Sequence, residues 1–312
     1  MLKYIIYRVG SMLVTLFIII TITFFLMHAV PGGPYDFEGQ DLKPEIVTIL
    51  QEKYHLNDPI FKQYLDYLKG VVTFDLGPSF YYSGRSVTEV IAQGFPVTAK
   101  LSVLSLLIVF LLSVPMGVMA AMRRNKLTDR IIMFVATLGR TIPAFVLGTV
   151  FIYFLSYKLR LFPIYGIGSF RHYILPAIAL SLSSIAHLTR LNRASMLDVI
   201  HQDYIRTAWA KGLPEYKIIY KHALKNASIP MATVLGSRIA ALLTGSFVIE
   251  QMFAMPGIGR YFVQAINNRD YPMIMGVTIY FSIILLVCML LVDIVYGWLD
   301  PRATVFGKRG GK

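Results

Sequence analysis

Six long apolar stretches alternate with polar segments along the chain, and each stretch holds one charged side chain or none. About 20 helical residues cross the hydrocarbon core of a bilayer, which is about 30 Å thick. The stretches cover residues 9–30, 101–122, 131–157, 173–189, 229–249 and 271–292. Since helices satisfy their backbone hydrogen bonds internally, the pattern predicts an all-α polytopic membrane protein with six transmembrane helices. Proline at 115, 143, 176 and 230 is tolerated in such helices and can kink them.

The first stretch has a second interpretation, namely a cleaved secretory signal peptide. The apolar region of a signal peptide is shorter, about 7 to 15 residues, and ends in small residues at the cleavage site. Residues 9–30 are longer and end at the turn-forming Pro31-Gly32-Gly33-Pro34. We therefore expect an uncleaved helix here.

The composition also indicates a membrane protein and excludes an ordinary soluble enzyme. Hydrophobic residues make up 56% of the 312 positions, while charged residues make up only 15%. Soluble domains usually carry about 25% charged residues. The net charge of +13 would indicate a nucleic-acid partner in a soluble protein, so its distribution along the chain decides what it means.

The basic residues concentrate on one side of the predicted spans. With the N-terminus inside, the inner segments 1–8, 123–130, 190–228 and 300–312 carry 17 basic and five acidic residues. The outer segments 31–96, 158–172 and 255–270 carry ten of each. Because Lys- and Arg-rich loops tend to stay in the cytoplasm, this bias predicts that both termini are cytoplasmic. It accounts for nearly all of the net charge, so no nucleic-acid partner is expected.

The predicted spans divide the chain into four parts. These are the N-terminal cytoplasmic end with the first span (1–30), an extracytoplasmic loop (31–96), the transmembrane core (97–300) and a cytoplasmic tail (301–312). In the outer loop, Asp58 is expected to cap an amphipathic helix that runs from Pro59 to Val72. This helix either covers the outer ends of the spans, or contacts an extracytoplasmic partner or lines a vestibule, and the loop charges do not decide.

The inner loop 190–228 contains the signals for two short helices that meet at an angle. Gly212 can adopt the left-handed conformation that ends a helix, and Pro214 is suited to start the next one. In the second helix, Tyr216, Ile219, Tyr220 and Ala223 are expected on one face, beside a stripe of Lys217, Lys221 and Lys225. Such a basic helix pair either lies on anionic lipid or docks on another protein, and the pattern alone leaves both open.

Ala208, Gly212 and the Ile229-Pro230 pair resemble the signature loop of permease subunits of binding-protein-dependent ABC importers. The stretch YIRTAWAKGLP (204–214) is similar to the peptide-transport branch in particular. The other matching motifs are EKYHLNDP (52–59), LGPSF (76–80), GSFVIE (245–250), PGIGR (256–260), NRDY (268–271) and LDPR (299–302). Because these motifs span almost the whole chain, the sequence is identified as a member of this family, similar to B-type permeases of the oligopeptide and dipeptide branch.

The resemblance implies a type I ABC importer permease-like fold in a bacterial plasma (inner) membrane, forming half of an oligopeptide pathway. Besides membrane lipid, the implied partners are a second homologous permease subunit, two cytoplasmic ATPase subunits and an extracytoplasmic peptide-binding protein. The residues implied to couple to the ATPase are Arg206, Thr207, Ala208, Gly212, Leu213 and Glu215. The general importer motif has glutamate where this chain has Arg206, so a contact of opposite polarity or one based on shape is expected.

The chain carries no sequence signal for its own energy source. No phosphate-binding loop of the form Gly-x₄-Gly-Lys-Ser/Thr occurs, and neither a His-Glu-x-x-His nor a Gly-x-Ser-x-Gly motif is present. We therefore expect a transport subunit rather than an enzyme, with no cofactor or metal bound by this chain. ATP and Mg²⁺ are expected on the partner ATPase subunits.

A secondary, ion-coupled transporter of small solutes is the alternative, and it would need an ionisable group within the membrane. Arg140 and Arg238 lie about ten residues, or roughly 15 Å, from the starts of their spans. They are candidates for lining or gating the pathway, with contact to a solute carboxylate as one role of Arg140, or for pairing with helix carbonyls and acids. Glu250 is a third candidate, but like Asp293 it lies near a span end, where it is expected to reach water.

Overall fold

The computed structural model describes residues 2–30, 55–244 and 246–299, whose regular structure is helical apart from one antiparallel bridge between Pro78 and Ser86. Residues 31–54 of the predicted outer loop and the predicted tail 301–312 lie outside the described residues. The helices, numbered in chain order, are α1 (Leu2–Ala29), α2 (Ile60–Thr73), α3 (Val87–Met122), α4 (Leu127–Thr141), α5 (Ala144–Phe151, continued by the π-helix Ile152–Lys158), α6 (Arg171–Val199), α7 (Asp203–Ala210), α8 (Glu215–Lys217, the π-helix Ile218–Ala223 and Leu224–Ala227), α9 (Ile229–Thr244), α10 (Phe247–Met252), α11 (Ile258–Asn267) and α12 (Tyr271–Leu299).

Five of the described helical segments are long and apolar enough to cross a membrane, and the number rises to six if α4 and α5 form one bent span. The five are α1, α3, α6, α9 together with α10, and α12. Each includes or overlaps an apolar stretch of the sequence. The all-α, six-span architecture predicted from hydropathy is therefore confirmed.

The third span differs from the single helix predicted over residues 131–157. It consists of α4 and α5, which meet at 99°. A residue before proline is pushed out of the helical conformation, and Ile142, just before Pro143, is extended with a ψ of 121°. The kink expected at Pro143 is therefore present, as a complete break between two helices rather than a bend within one. Pro115 and Pro176, in contrast, lie inside the continuous helices α3 and α6.

The second span begins earlier than the hydropathy indicates. Helix α3 starts with a capping box, in which the Ser86 hydroxyl accepts from the backbone N–H of Glu89 and the Glu89 carboxylate accepts from that of Ser86. The helix then passes through Pro96 without a break. The predicted boundary between the outer loop (31–96) and the transmembrane core (97–300) thus falls inside α3.

The core of the bundle is the contact between α3 and α6, the most extensive of the described helix pairs. The helices approach closely at Gly117, where a Cβ atom would lie 2.7 Å from Cβ of Asn192. The Asn192 side chain donates a hydrogen bond of 3.0 Å to the carbonyl of Val114. Toward the α7 end of the bundle, Asp129 of α4 accepts two hydrogen bonds of 2.7 Å from Arg193 of α6.

Helix α2 packs against the C-terminal half of α1. The hydroxyls of Tyr64 and Thr21 form a hydrogen bond of 2.7 Å, which joins the two helices. The helix predicted at this place is confirmed, but its predicted cap is wrong. No side chain caps α2, whose N-cap residue is Pro59, and Asp58 instead forms an ion pair of 3.0 Å with Lys62. Contact with α1 fits the interpretation of this segment as a cap on the spans.

Candidate functional site

Helices α7 and α8 form a bent unit, residues 203–227, which we call the elbow. The bend lies at Gly212, which has a φ of +71° and donates its N–H to the carbonyl of Trp209 at 2.9 Å. A Cβ atom on Gly212 would meet no other atom within 4 Å. Glycine is therefore favoured by the left-handed backbone and not by lack of space within this chain. The predicted helix stop at Gly212 and restart after Pro214 are confirmed.

An apolar core anchors the elbow to the neighbouring ends of α3 and α6. Its buried members are Val118 and Ala121 of α3, Met196 of α6, and Ile205, Ala208, Ile218, Ile219, Ala223 and Ala227 of the elbow. Ala208, one of the predicted coupling residues, therefore packs within the subunit and is only 7% exposed. The Asn226 amide also donates a hydrogen bond of 2.7 Å to the Tyr204 hydroxyl, which ties α8 to α7. The elbow is thus held against the ends of α3 and α6 by a continuous apolar core.

The other predicted coupling residues lie at the elbow surface. Arg206, Thr207, Gly212 and Glu215 are exposed, and Leu213 is half-buried. Among the described residues, Arg206 forms an ion pair with Asp203 alone, at 3.7 Å, and both side chains are largely in solvent. Because an exposed pair of this kind contributes little, the Arg206 guanidinium stays available for a contact outside the chain.

Exposed aromatic side chains on the elbow are a feature that the sequence pattern missed. Tyr216 and Tyr220 were expected on one face with Ile219 and Ala223, but they are 61% and 59% exposed, whereas Ile219 and Ala223 are buried. The expectation assumed an α-helical period, whereas Ile218–Ala223 is π-helical, so its side chains follow a different spacing around the helix. With Tyr204 and Trp209, the two exposed tyrosines form a surface of large aromatic groups next to basic residues, a composition typical of protein interfaces.

Glu250 is fully buried, so the prediction that its side chain reaches water is wrong. Its carboxylate accepts hydrogen bonds from the hydroxyls of Thr98 and Ser246, at 2.8 and 2.6 Å, and from the backbone N–H of Arg260 at 3.2 Å. The contacts join α3, α10 and α11. Gly257 permits this arrangement, because a Cβ atom there would overlap the Glu250 carboxylate. A gating role for Glu250 stays a prediction.

A second buried carboxylate, Asp270, joins the outer loop to α12. It accepts hydrogen bonds from the Ser79 hydroxyl and from the backbone N–H groups of Phe80 and Met273, the latter two at 3.1 and 3.2 Å. Tyr82 lies beside this cluster and donates a hydrogen bond of 2.6 Å to Gln264. Burial raises the pKa of Tyr82 to about 12, so its hydroxyl stays protonated at neutral pH. The LGPSF and NRDY motifs therefore meet in space.

Arg140 and Arg238, the remaining predicted pathway residues, come from two helices that flank α6. Arg140 is exposed near the α4–α5 break, and Arg238 is half-buried in α9. Both helices contact α6, which carries His187 and, one turn further along, Arg190. The structure thus places two residues that are far apart in sequence on neighbouring helices, beside two that sequence reasoning did not group with them.

The described helices thus form a bundle of candidate membrane spans that carries an exposed elbow packed on its helix ends. Two family descriptions match the chain. Residues 1–102 match the N-terminal part of the membrane component of binding-protein-dependent transport systems, and residues 113–305 match the inner membrane component itself. The chain belongs to this family of binding-protein-dependent transport system inner membrane components.

Curated relatives and a solved structure agree with this assignment. The chain is 46% identical to the dipeptide transport system permease protein DppB of Bacillus subtilis, over 99% of this chain and all of that protein. It is 41% identical to the oligopeptide transport system permease protein OppB of Salmonella typhimurium, over 97% and 99% of the two chains. An inward-facing structure of the MetNI methionine ABC transporter is similar in fold, with a TM-score of 0.57 at 17% identity, over 68% of this chain and 96% of that chain.

Proposed function

We propose that the chain is one of two permease subunits of an ATP-driven importer of peptides. In this proposal the second subunit is a homologous permease, ATP and Mg²⁺ bind to two cytoplasmic ATPase subunits, and an extracytoplasmic protein delivers the peptide. The relatives named for dipeptide and oligopeptide transport support the solute class. The charge bias of the loops supports cytoplasmic termini in a bacterial inner membrane.

The observation that carries the proposal is the exposed surface of the elbow above its buried core. Tyr216 and Trp209 expose about half or more of their side chains, although the same elbow buries Ile205 and Ile218 almost completely. An elbow held firmly by α3 and α6, with aromatic and basic groups left in solvent, is suited to dock on a protein. Of the two interpretations that the sequence left open, these contacts favour docking over a helix lying on lipid.

The anchoring of the elbow suggests how ATP binding reaches the pathway. An ATPase that binds the elbow differently in its ATP-bound and ATP-free states would shift the permease between two arrangements. Because the core around Met196 and Ala121 ties the elbow to α6 and α3, displacement of the elbow moves these spans with it. The residues that would contact the ATPase in this mechanism are Arg206, Thr207, Gly212, Leu213 and Glu215. Ala208 would position them through its packing in the buried core of the elbow.

The acidic residues of the spans do not favour an ion-coupled secondary transporter. Such a transporter needs an ionisable group within the membrane that can change partners. Glu250 is enclosed by its three hydrogen bonds, and Asp293 forms an ion pair of 2.9 Å with Arg8 that joins α12 to α1.

Purification of the tagged chain in mild detergent tests the proposal. We expect a second permease and an ATPase to co-purify, and we expect Trp209→Ala together with Tyr216→Ala to release the ATPase while the second permease stays bound. Tyr165→Ala is the matched control, because Tyr165 is as exposed as Tyr216 but lies outside the elbow. A homo-oligomer that transports peptide without an ATPase would overturn the proposal, and an ATPase that stays bound to the double variant would overturn docking on the elbow.

A further inference from the structure

Three arginines and one histidine meet on neighbouring helices within the membrane-spanning bundle. Gly139 of α4 packs on α6, since a Cβ atom there would lie 3.4 Å from the carbonyl oxygen of Leu182 and 3.7 Å from Cβ of Ala186. Arg140 follows Gly139, and His187 follows Ala186. Arg190 donates to the Ala186 carbonyl at 3.4 Å. Arg238 comes from α9, which also contacts α6, and it lies close enough to contribute with Arg140 and Arg190 to the electrostatics around His187. We call these four residues the basic cluster.

The basic cluster lies deep in the bundle. Measured from the helix ends nearest the elbow, Arg140 is roughly 20 Å along α4, while Arg190 and Arg238 are each roughly 14 Å along α6 and α9. An arginine that faces lipid at such a depth is strongly unfavourable. The exposed Arg140 must therefore face either a polar pathway or another protein.

The guanidinium groups of the cluster have unused donors. The Nε atom of Arg238 and one terminal nitrogen of Arg190 are buried and form no hydrogen bond with any described residue. No described carboxylate forms an ion pair with Arg140, Arg190 or Arg238. A buried donor without a partner is costly, so a group that supplies acceptors to this site would be bound favourably.

The other charged groups of the spans show that this arrangement is unusual within the described residues. Asp129 pairs with Arg193, Asp293 with Arg8, and Glu250 accepts hydrogen bonds from several donors. The carboxylates of Asp129, Asp293 and Glu250 thus have partners within the chain. The basic cluster, in contrast, keeps guanidinium donors that have no acceptor among the described residues. Its surroundings are partly polar, because Thr137 and Ser183 are exposed one turn before Arg140 and His187, beside the exposed Leu138. Exposed hydroxyl groups at this depth are more consistent with a water-lined pathway than with the apolar centre of a subunit interface.

We propose that Arg140, Arg190 and Arg238 bind the terminal carboxylate of the transported peptide as it crosses the middle of the membrane. The proposal rests on the proposed peptide-import function and deepens it by assigning residues to the solute. Arginine is suited to this role because its planar fork of donors matches the two oxygens of a carboxylate. Since the site is assembled from α4, α6 and α9, movement of α6 with the elbow would change the spacing of its arginines. The site would then hold the carboxylate in one arrangement and release it in another.

Uptake by the complete transporter in proteoliposomes tests the site. The probes are trialanine, which has a free carboxylate, and trialanine amide, which does not, each supplied with enough binding protein to saturate uptake. We expect Arg190→Gln and Arg238→Gln to lower trialanine uptake about 10-fold and to leave uptake of the amide nearly unchanged. The Lys substitutions, which keep the charge, should retain more trialanine uptake than the Gln substitutions. Arg130→Gln, an exposed arginine at the elbow end of α4, is the matched control and should change neither rate.

The outcomes separate this inference from the proposed function. A wild-type complex that assembles but transports neither probe would count against peptide import itself. Normal trialanine uptake in the Gln variants, with an unchanged ratio between the two probes, would overturn the carboxylate site alone. Loss of the second permease from Arg140→Gln or Arg238→Gln on gel filtration would also overturn it, because the cluster would then pair with carboxylates of the partner subunit.

Discussion

The buried carboxylate of Asp270 accepts a hydrogen bond from the hydroxyl of Ser79, which lies 191 positions earlier in the chain. The same carboxylate accepts from the backbone of Phe80 and of Met273, so it fastens the outer loop to the first turn of α12. One side chain thereby explains why two separate sequence motifs occur together in this chain.

Asp270→Asn should loosen the outer loop. The amide has only one acceptor oxygen, so it cannot replace a carboxylate that uses both oxygens, and a loss of about 2 kcal/mol in the free energy of unfolding is expected. Thermal unfolding in detergent and hydrogen exchange of the amides at Phe80 and Tyr81 measure the effect. Asp75→Asn is the control, because the exposed Asp75 carboxylate accepts one hydrogen bond from a described residue, at 3.1 Å from the backbone N–H of Gly77. Equal destabilisation by the two substitutions would contradict the assignment.

Gly257→Ala should disrupt the Glu250 site. The backbone of Gly257 suits any residue, with a φ of −96°, but an added Cβ atom would overlap the Glu250 carboxylate and approach the Thr98 hydroxyl to 2.7 Å. Displacing a buried carboxylate from its donors is expected to cost about 2 to 4 kcal/mol. The thermal midpoint and the folded fraction on size-exclusion chromatography report the loss. Gly10→Ala, in the exposed part of α1 where a Cβ atom meets nothing within 4 Å, should be neutral or slightly stabilising.

The ion pair between Asp129 and Arg193 should contribute to stability, while that between Asp203 and Arg206 should not. The first pair is bidentate at 2.7 Å and Asp129 is almost fully buried, so a double-mutant cycle should give a coupling energy of about 2 kcal/mol. The second pair is 3.7 Å apart and exposed, and no measurable coupling is expected. Cycles with Asn and Gln substitutions, followed by thermal unfolding, provide both values. Similar coupling in the two pairs would show that burial does not set their strength.

Local signals allowed the spans and the elbow bend to be predicted from the sequence. Hydropathy reports how long an apolar segment is, and the pair of Gly212 and Pro214 determines backbone conformation with little help from the rest of the chain. The complete break at Pro143 was harder to predict, because Pro115 and Pro176 remain inside continuous helices. Hydropathy alone does not distinguish a proline that breaks a helix from one that the helix tolerates.

The sites built by tertiary contacts could not be predicted in the same way. Glu250 was placed near water from its position along a span, but Thr98, 152 positions away, supplies one of the donors that enclose it. Tyr220 lies in a π-helix that no residue pattern indicated, and neither Tyr220 nor Tyr216 shares the buried face of Ile219 and Ala223. The basic cluster combines residues of three helices, and only two of its members stood out as charges within apolar stretches.

Gly212→Val should separate folding from coupling at the elbow. A β-branched residue is strained at a φ of +71°, by roughly 1 to 2 kcal/mol, whereas asparagine tolerates this conformation. We therefore expect the valine variant to insert and to pair with the second permease, but to reduce uptake about 10-fold at an unchanged rate of ATP hydrolysis. Gly212→Asn is the matched control and should transport nearly as well as the wild type. Normal uptake by the valine variant would refute a coupling role for the bend. Equal loss in both variants would instead indicate that the ATPase approaches the Gly212 backbone too closely for any side chain.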